Sequence, residues 1–490
     1  MITFFISIIL LVISYFVYGR FVESRFGADE KRKTPAIEKN DGVDFVPLKP
    51  GKIFLIQFLN IAGLGPIFGA IAGALWGPVA FIWIVVGCIF MGSVHDYFSG
   101  MLSIRHGGAS IPEVVGKYLG VPAQYVMRLF AVVLLILVGV VFIKGPASIL
   151  NHLSGVSTTI FIVCIFIYYL LATMIPVDKL IGKIYPVFGI SLLIMAVGIF
   201  TMLIIGNYKI PEIVPANLVN MHHGSESHPI YPMLFITIAC GAISGFHSTQ
   251  SPLMARCLPN ENMGRKIFFG AMIAEGIVAL IWAAAAMAFF GGVKELNEVS
   301  LSGNNAAWIV NEICNSMLGK VGGVLALIGV VAAPITSGDT AFRSARLTVA
   351  DAFKLPQGTL QKRLLVTVPL FVVGLLLTQI DFGIIWRYFG WANQTLATIV
   401  LWTAAVYMEK QEKKSWFVTW PAVFMTAVVT SYILVAPEGF AIELWKGVSI
   451  GSMAALLAFL LFMRFRWSYK DSMVLQPVKE QVSSAKKDRS

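Results

Sequence analysis

The sequence predicts an all-α polytopic membrane protein, and three observations predict it. Hydrophobic residues make up 57% of the chain and charged residues only 13%, with a mean hydropathy of +0.79, a balance far more apolar than soluble domains carry. Apolar stretches of about 18 or more residues, long enough to cross a bilayer as a helix, recur from end to end. Lys and Arg gather in alternate joints between those stretches.

About thirteen spans follow, over 2–18, 53–75, 79–101, 123–143, 157–176, 184–206, 230–252, 267–290, 317–340, 363–380, 384–408, 415–435 and 446–463. The joints on the side of the 20–52 loop and the C-terminal tail hold about 30 of the 37 Lys and Arg. The positive-inside rule then puts the N-terminus outside and the C-terminus in the cytoplasm. The formal charge of +11 is thereby read as a topology signal, and no nucleic-acid partner is expected.

The opening stretch, MITFFISIILLVISYFVYGR, has no charged leading region and no small-residue cleavage site, so it reads as a retained span. The five cysteines, at 88, 164, 240, 257 and 314, lack Cys-x-x-Cys spacing. They point to neither a disulfide framework nor a zinc site and read as small packing residues. No metal and no cofactor is expected. Residues 1–465 read as a single transmembrane domain, and the polar stretch 466–490 as a disordered cytoplasmic tail.

Two spans are interrupted. Span 2, NIAGLGPIFGAIAGALWGP, carries Asn60, Gly63, Gly65 and Pro66 in its first half. Span 7, ACGAISGFHSTQSP, carries Gly241, Ser244, Gly245, Phe246, His247, Ser248, Thr249 and Gln250. The two lie five spans apart and run in opposite directions. Surface helices follow the same step, ASIPEVVGKYLG after span 3 and NNAAWIVNEICNSMLG after span 8. This spacing predicts two inverted repeats, spans 2–6 and 7–11, with span 1 and spans 12–13 added. Paired interrupted spans mark the midplane site of secondary transporters. Backbone freed inside a membrane must find protein or cavity partners, and its half-helix ends suit an anionic solute plus a cation. Gly65, Gly69, Gly73 and Gly77 recur every four residues, a small-residue stripe read mainly as helix packing.

Ionisable residues inside spans are costly and point to function. His95 and Asp96 lie in span 3 and Glu275 in span 8. As neighbours on a helix, His95 and Asp96 are not expected to face one ligand. Thr336, Ser337, Asp339 and Thr340 at the end of span 9 offer hard oxygen ligands for a coupling cation; the competing reading is that they satisfy helix-end backbone groups. Asn393 and Gln394 add polar groups to span 11 as gate or cavity residues. The chain has neither a phosphate-binding Gly-Lys-Ser/Thr loop nor His-Glu-x-x-His, so ATP-driven transport and metalloprotease chemistry are not supported. SGFHS does not fit a hydrolase elbow. The outer His222, His223 and His228 read as a solvated loop.

NIAGLGPIFGAIAGALWGP, GCIFMGSVHDYFSGMLSIRHGGASIPEVVGKYLG, ITIACGAISGFHSTQSPLMARC and GRKIFFGAMIAEGIVALIWAAAA resemble the carbon starvation protein A (CstA) family. The resemblance covers about Gly51 to Thr403. It implies a bacterial inner-membrane secondary transporter of peptides or pyruvate, driven by H⁺ or Na⁺, and a LeuT-type 5+5 architecture. On that architecture Asn60 to Pro66 and Gly241 to Gln250 line the substrate site, and Thr336 and Ser337 lie near a sodium-type site. The alternative is a membrane sensor or channel-like protein that does not transport.

Overall fold

The computed structural model describes residues 1–41, 45–172, 178–355 and 359–487, with the side chains of 178–186 and 471–487 outside the description. The final residues of span 5, the start of span 6 and most of the tail expected over 466–490 therefore lie outside the residues described in full.

All regular structure among the described residues is helical, as a low-dielectric slab requires of an open chain. Among the described residues nine helices are long and apolar enough to cross a membrane, and the bent pair in span 2 makes a tenth. Three of the thirteen expected spans fall short of that standard. In span 5 the described helix, Thr158–Ala172, is short. Span 7 is broken into pieces. In span 11, Phe382–Lys410, the apolar run is diluted by Asn393 and Gln394.

Spans 3 and 8 form the centre of the bundle. In Val79–Arg105 and Glu261–Phe289, 78% and 83% of the most apolar window is buried, against 17% in the last span, Leu444–Lys470. Span 8 earns this position with Ala283, Ala284, Ala285 and Ala286, all fully buried, because small side chains let backbones approach where lipid gives no hydrophobic drive. In span 3 a π-helical turn, Cys88–Gly92, runs straight into Ser93–Arg105; such turns often mark functional positions.

The joints between spans meet in two groups. On one face Arg105 donates to both carboxylate oxygens of Glu261 at 2.6 and 2.8 Å and to Gly27 O, and Asp29 N–H donates to Glu261 at 2.9 Å. On the other, the first-turn amides Ile2 and Thr3 donate to Glu212, at 2.9 and 2.8 Å. Both expected surface helices form. Ile111–Leu119 starts with a Ser110–Glu113 capping box. Ala306–Ala326 turns at Gly319, φ 59°, where surface helix gives way to span 9.

Candidate functional site

Span 2 consists of Pro50–Ile61 and Gly65–Trp76, bent by 46°. Span 7 begins as Ile230–Leu234 and Phe235–Thr237, loses helical geometry, and resumes as Phe246–Ala255. The two breaks touch. A Cβ on Gly65 would stand 2.3 Å from Cys240 Cβ, and one on Gly241, at φ +91°, would stand 2.5 Å from Ala279 Cβ. Glycine is required at Gly65 for close approach and at Gly241 for a left-handed backbone as well. The glycine stripe continues this contact, since a Cβ on Gly73 would overlap Ile238.

Side chains from other spans take up the freed backbone of span 7. Trp83 donates to Ile238 O at 3.0 Å, Trp386 to Thr237 O at 3.4 Å and Gln394 to Phe235 O at 2.5 Å. Asn393 clamps the far side of the break. Its Oδ1 accepts from Phe246 N–H at 2.6 Å, its amide donates to Ser244 Oγ at 3.0 Å, and its carbonyl accepts from Gly245 N–H at 3.1 Å. Asn393 and the Gln394 amide nitrogen, read from sequence as gate or cavity groups, thus serve the broken backbone.

The hydroxyls of span 7 behave similarly. Ser248, Thr249 and Ser251 donate to Gly245 O, Phe246 O and His247 O, and Gln250 donates to Thr249. Such bonds to the preceding turn are a common use of short polar side chains inside helices, which they tend to bend. Asn60 is half-buried at the end of the first half of span 2, and Gly63 packs against Phe142.

His247 does something different. Its Nδ1 lies 2.8 Å from Asp96 Oδ2 in span 3, and its Nε2 lies 3.4 Å from Glu275 Oε2 in span 8. Asp96 Oδ1 is in turn 2.8 Å from His95 Nδ1. All four side chains are fully buried. His95 and Asp96, not expected to face one ligand, are in contact through the His95 Nδ1 and the Asp96 carboxylate. A string of imidazole and carboxylate groups therefore crosses three spans beside the two breaks. Cys240 adjoins it: its thiol contacts Ser244 Oγ and the Asn393 amide, each at 3.6 Å. The sequence offered no signal for Cys240 beyond its position next to Gly241.

The span 9 group stands elsewhere. Thr336 and Ser337 donate to Ala333 O and Thr340 to Ser337 O, while Asp339 faces Arg343 on its own helix at 3.5 Å. Arg343 also donates to Ala172 O of span 5. Where spans 2, 7 and 11 come together near the 218–229 loop lies a cavity of about 490 Å³, lined in part by Trp76, His222, Thr237, Asp381, Trp386 and Arg387.

This is a bundle of apolar membrane-spanning helices, and a solved transporter shares its fold. The crystal structure of the Eremococcus coleocola manganese transporter with an aromatic bis-isothiourea compound matches with a TM-score of 0.51 and 11% identity, over 88% of this chain and 98% of that one. At that identity the likeness concerns the fold alone. A family model described as carbon starvation protein CstA matches residues 1–163 and 145–287, and the chain belongs to that family. A Haemophilus influenzae protein named "Uncharacterized membrane protein" is 44% identical over 352 residues, 62% of this chain and 95% of its own length. "Peptide transporter CstA" of Campylobacter jejuni is 27% identical over 338 residues, and "Pyruvate/proton symporter BtsT" of Escherichia coli 26% over 343. Those matches take in 56% and 57% of this chain, and 48% of either transporter.

Proposed function

We propose that the chain is a cation-coupled secondary importer of a small carboxylate-bearing nutrient, short peptides or pyruvate, working by alternating access around its two breaks. One observation carries the reading: the interrupted spans 2 and 7 meet at Gly65 and Cys240, next to the buried Asp96–His247–Glu275 string. The half-helix ends at the breaks suit an anionic solute through their dipoles, and the string gives a coupling cation its counter-charges. The outer cavity, with Arg387, Asp381 and two indole rings in its lining, suits entry of a polar organic solute. The names of the Campylobacter and Escherichia relatives favour peptides and pyruvate in turn.

In this reading spans 2–6 and 7–11 are LeuT-type inverted repeats, and residues 1–465 are one transporter domain. The protein lies in a bacterial inner membrane with its N-terminus outside and its C-terminus in the cytoplasm. Support comes from the five-span displacement of both breaks and both surface helices, and from the segregation of joints by charge. Two imidazoles in the string favour the proton as coupling ion; sodium is the other candidate, with Thr336, Ser337, Asp339 and Thr340 as its ligands.

The test is uptake into proteoliposomes of labelled pyruvate and of di- and tripeptides, under an imposed pH gradient or an imposed sodium gradient. Gradient-driven, saturable accumulation of one solute is expected. Absence of driven uptake for every solute under both gradients sinks the proposal. Sodium-driven uptake lost in Asp339→Asn would move the coupling site to span 9.

A further inference from the structure

We propose that Cys240, His247 and Glu275 form a binding site for a borderline-soft divalent transition-metal ion, the class to which Zn²⁺ and Co²⁺ belong. Cys240 Sγ, a His247 ring nitrogen and a Glu275 carboxylate oxygen all lie within 4.8 Å of one another, and all three residues are buried. It is the single group of this kind among the described residues.

The distances suit the ion. Zn²⁺ binds S, N and O donors at about 2.0–2.3 Å in tetrahedral geometry, which sets donor pairs roughly 3.3–3.8 Å apart. His247 Nε2 and Glu275 Oε2 already stand 3.4 Å apart, so only the thiol, within 4.8 Å of both residues' ligand atoms, has to close in. Three ligands leave a fourth position for an oxygen donor, as in open zinc sites. Mixed thiolate, imidazole and carboxylate ligands select this class over magnesium or calcium, which take oxygen alone.

The surroundings are those of a metal ligand set. His247 Nδ1 is held by Asp96 Oδ2 at 2.8 Å, leaving Nε2 as the ligating atom, and Asp96 is braced by His95. A carboxylate behind a ligating imidazole is the usual outer support. Apart from facing each other at 3.4 Å without forming a hydrogen bond, His247 Nε2 and the Glu275 oxygens have no hydrogen-bond partner although fully buried. Leaving such atoms unsatisfied is expensive, and an ion between them removes the cost. The outer histidines are arranged otherwise. Their rings stack on one another, and their Nδ1 atoms are engaged with Asn297, Gly224 N–H and Ser227.

The inference goes beyond the transport reading and is tested without transport. Purified full-length protein, stripped by chelator, is titrated with Zn²⁺ and with Co²⁺. Expected are one ion per chain and a thiolate-to-cobalt charge-transfer band. Affinity should fall at least tenfold in Glu275→Gln, and the band should vanish in Cys240→Ser. Both should persist in a His222→Ala/His223→Ala/His228→Ala variant and in Cys164→Ser/Cys257→Ser. Thermal unfolding of each apo variant checks its fold. Should Cys240→Ser or Glu275→Gln fail to fold, the wild-type band and its survival in the loop and surface-cysteine variants decide. No stoichiometric binding, no band in the wild type, or loss of the ion in the outer-histidine variant overturns the proposal. Metal binding without solute uptake counts against the transport reading alone, and uptake without metal binding against the metal site alone.

Discussion

The molecule holds two groups of histidines, and they differ in what faces the rings. In the outer loop His222 lies against Trp76 at 4.3 Å between centroids and stacks on His223 and His228 at 4.3 and 4.6 Å. None of these rings is in an ion pair with a carboxylate among the described residues. Burial first, then the neighbouring His228, His223 and Arg387 charges, push His222 down to about 3. In the core, His247 lies between Asp96 and Glu275. The comparison teaches that residue type does not set the chemistry. The His222 ring is packing material held neutral, whereas the core ring belongs to a set of counter-charges.

The sharpest way to break that contrast is at Asp96. It holds both His95 and His247, and removing one partner of a buried ionic set costs about 3–5 kcal/mol. Asp96→Asn should lower apparent thermal stability in detergent by that order and reduce uptake at least a hundredfold. Wild-type uptake in this variant would reduce the core string to packing and erase the difference from the loop.

Next in size is the contact between the breaks. Gly65→Ala drives a methyl into Cys240, an overpacking cost of about 1–3 kcal/mol. Cys240→Gly removes the struck atoms and should restore most of the lost melting temperature in the double variant; an additive double variant would mean that the breaks are not pressed together. Asn393→Ala leaves Phe246 N–H and Ser244 without their partners, at about 1–3 kcal/mol. Amide exchange should accelerate over 244–250. Unchanged protection would show that the clamp is dispensable.

The smallest effect belongs to the outer loop. With His222 depressed in the folded state, its neutral packing contributes fully above about 6.5, its ordinary value. The contribution is lost progressively as pH falls from there toward about 3. Protection factors over 218–229, referred to the intrinsic exchange rate at each pH, should therefore fall on acidification from pH 7 to 5, and His222→Phe should flatten the response. A loop that tightens on acidification would contradict the packing role.

These regions were legible in the sequence to different degrees. The breaks were visible because glycine, proline and clustered hydroxyls are conspicuous in an apolar chain, and His95, Asp96 and Glu275 stood out as ionisable groups inside spans. Their meeting at His247 was hidden, because it depends on how spans 3, 7 and 8 cross. Polar density is ambiguous. Ser248, Thr249, Thr336, Ser337 and Thr340 donate their hydroxyls to carbonyls three or four residues back, a use that composition cannot separate from ligand binding. Cys240 was missed for the opposite reason: a lone cysteine in a membrane helix looks like any small residue. Asn393 shows the same limit, since its partners lie about 150 residues away in sequence.

The most direct test of the central claim is the coupling of solute uptake in Glu275→Gln. Pyruvate and short peptides would be offered to proteoliposomes with and without an imposed gradient, next to Asp339→Asn as a comparator outside the core string. The account predicts gradient-driven accumulation in the wild type and in Asp339→Asn. In Glu275→Gln, solute exchange should persist while accumulation against a gradient falls at least tenfold. Accumulation by Glu275→Gln at the wild-type level would contradict it.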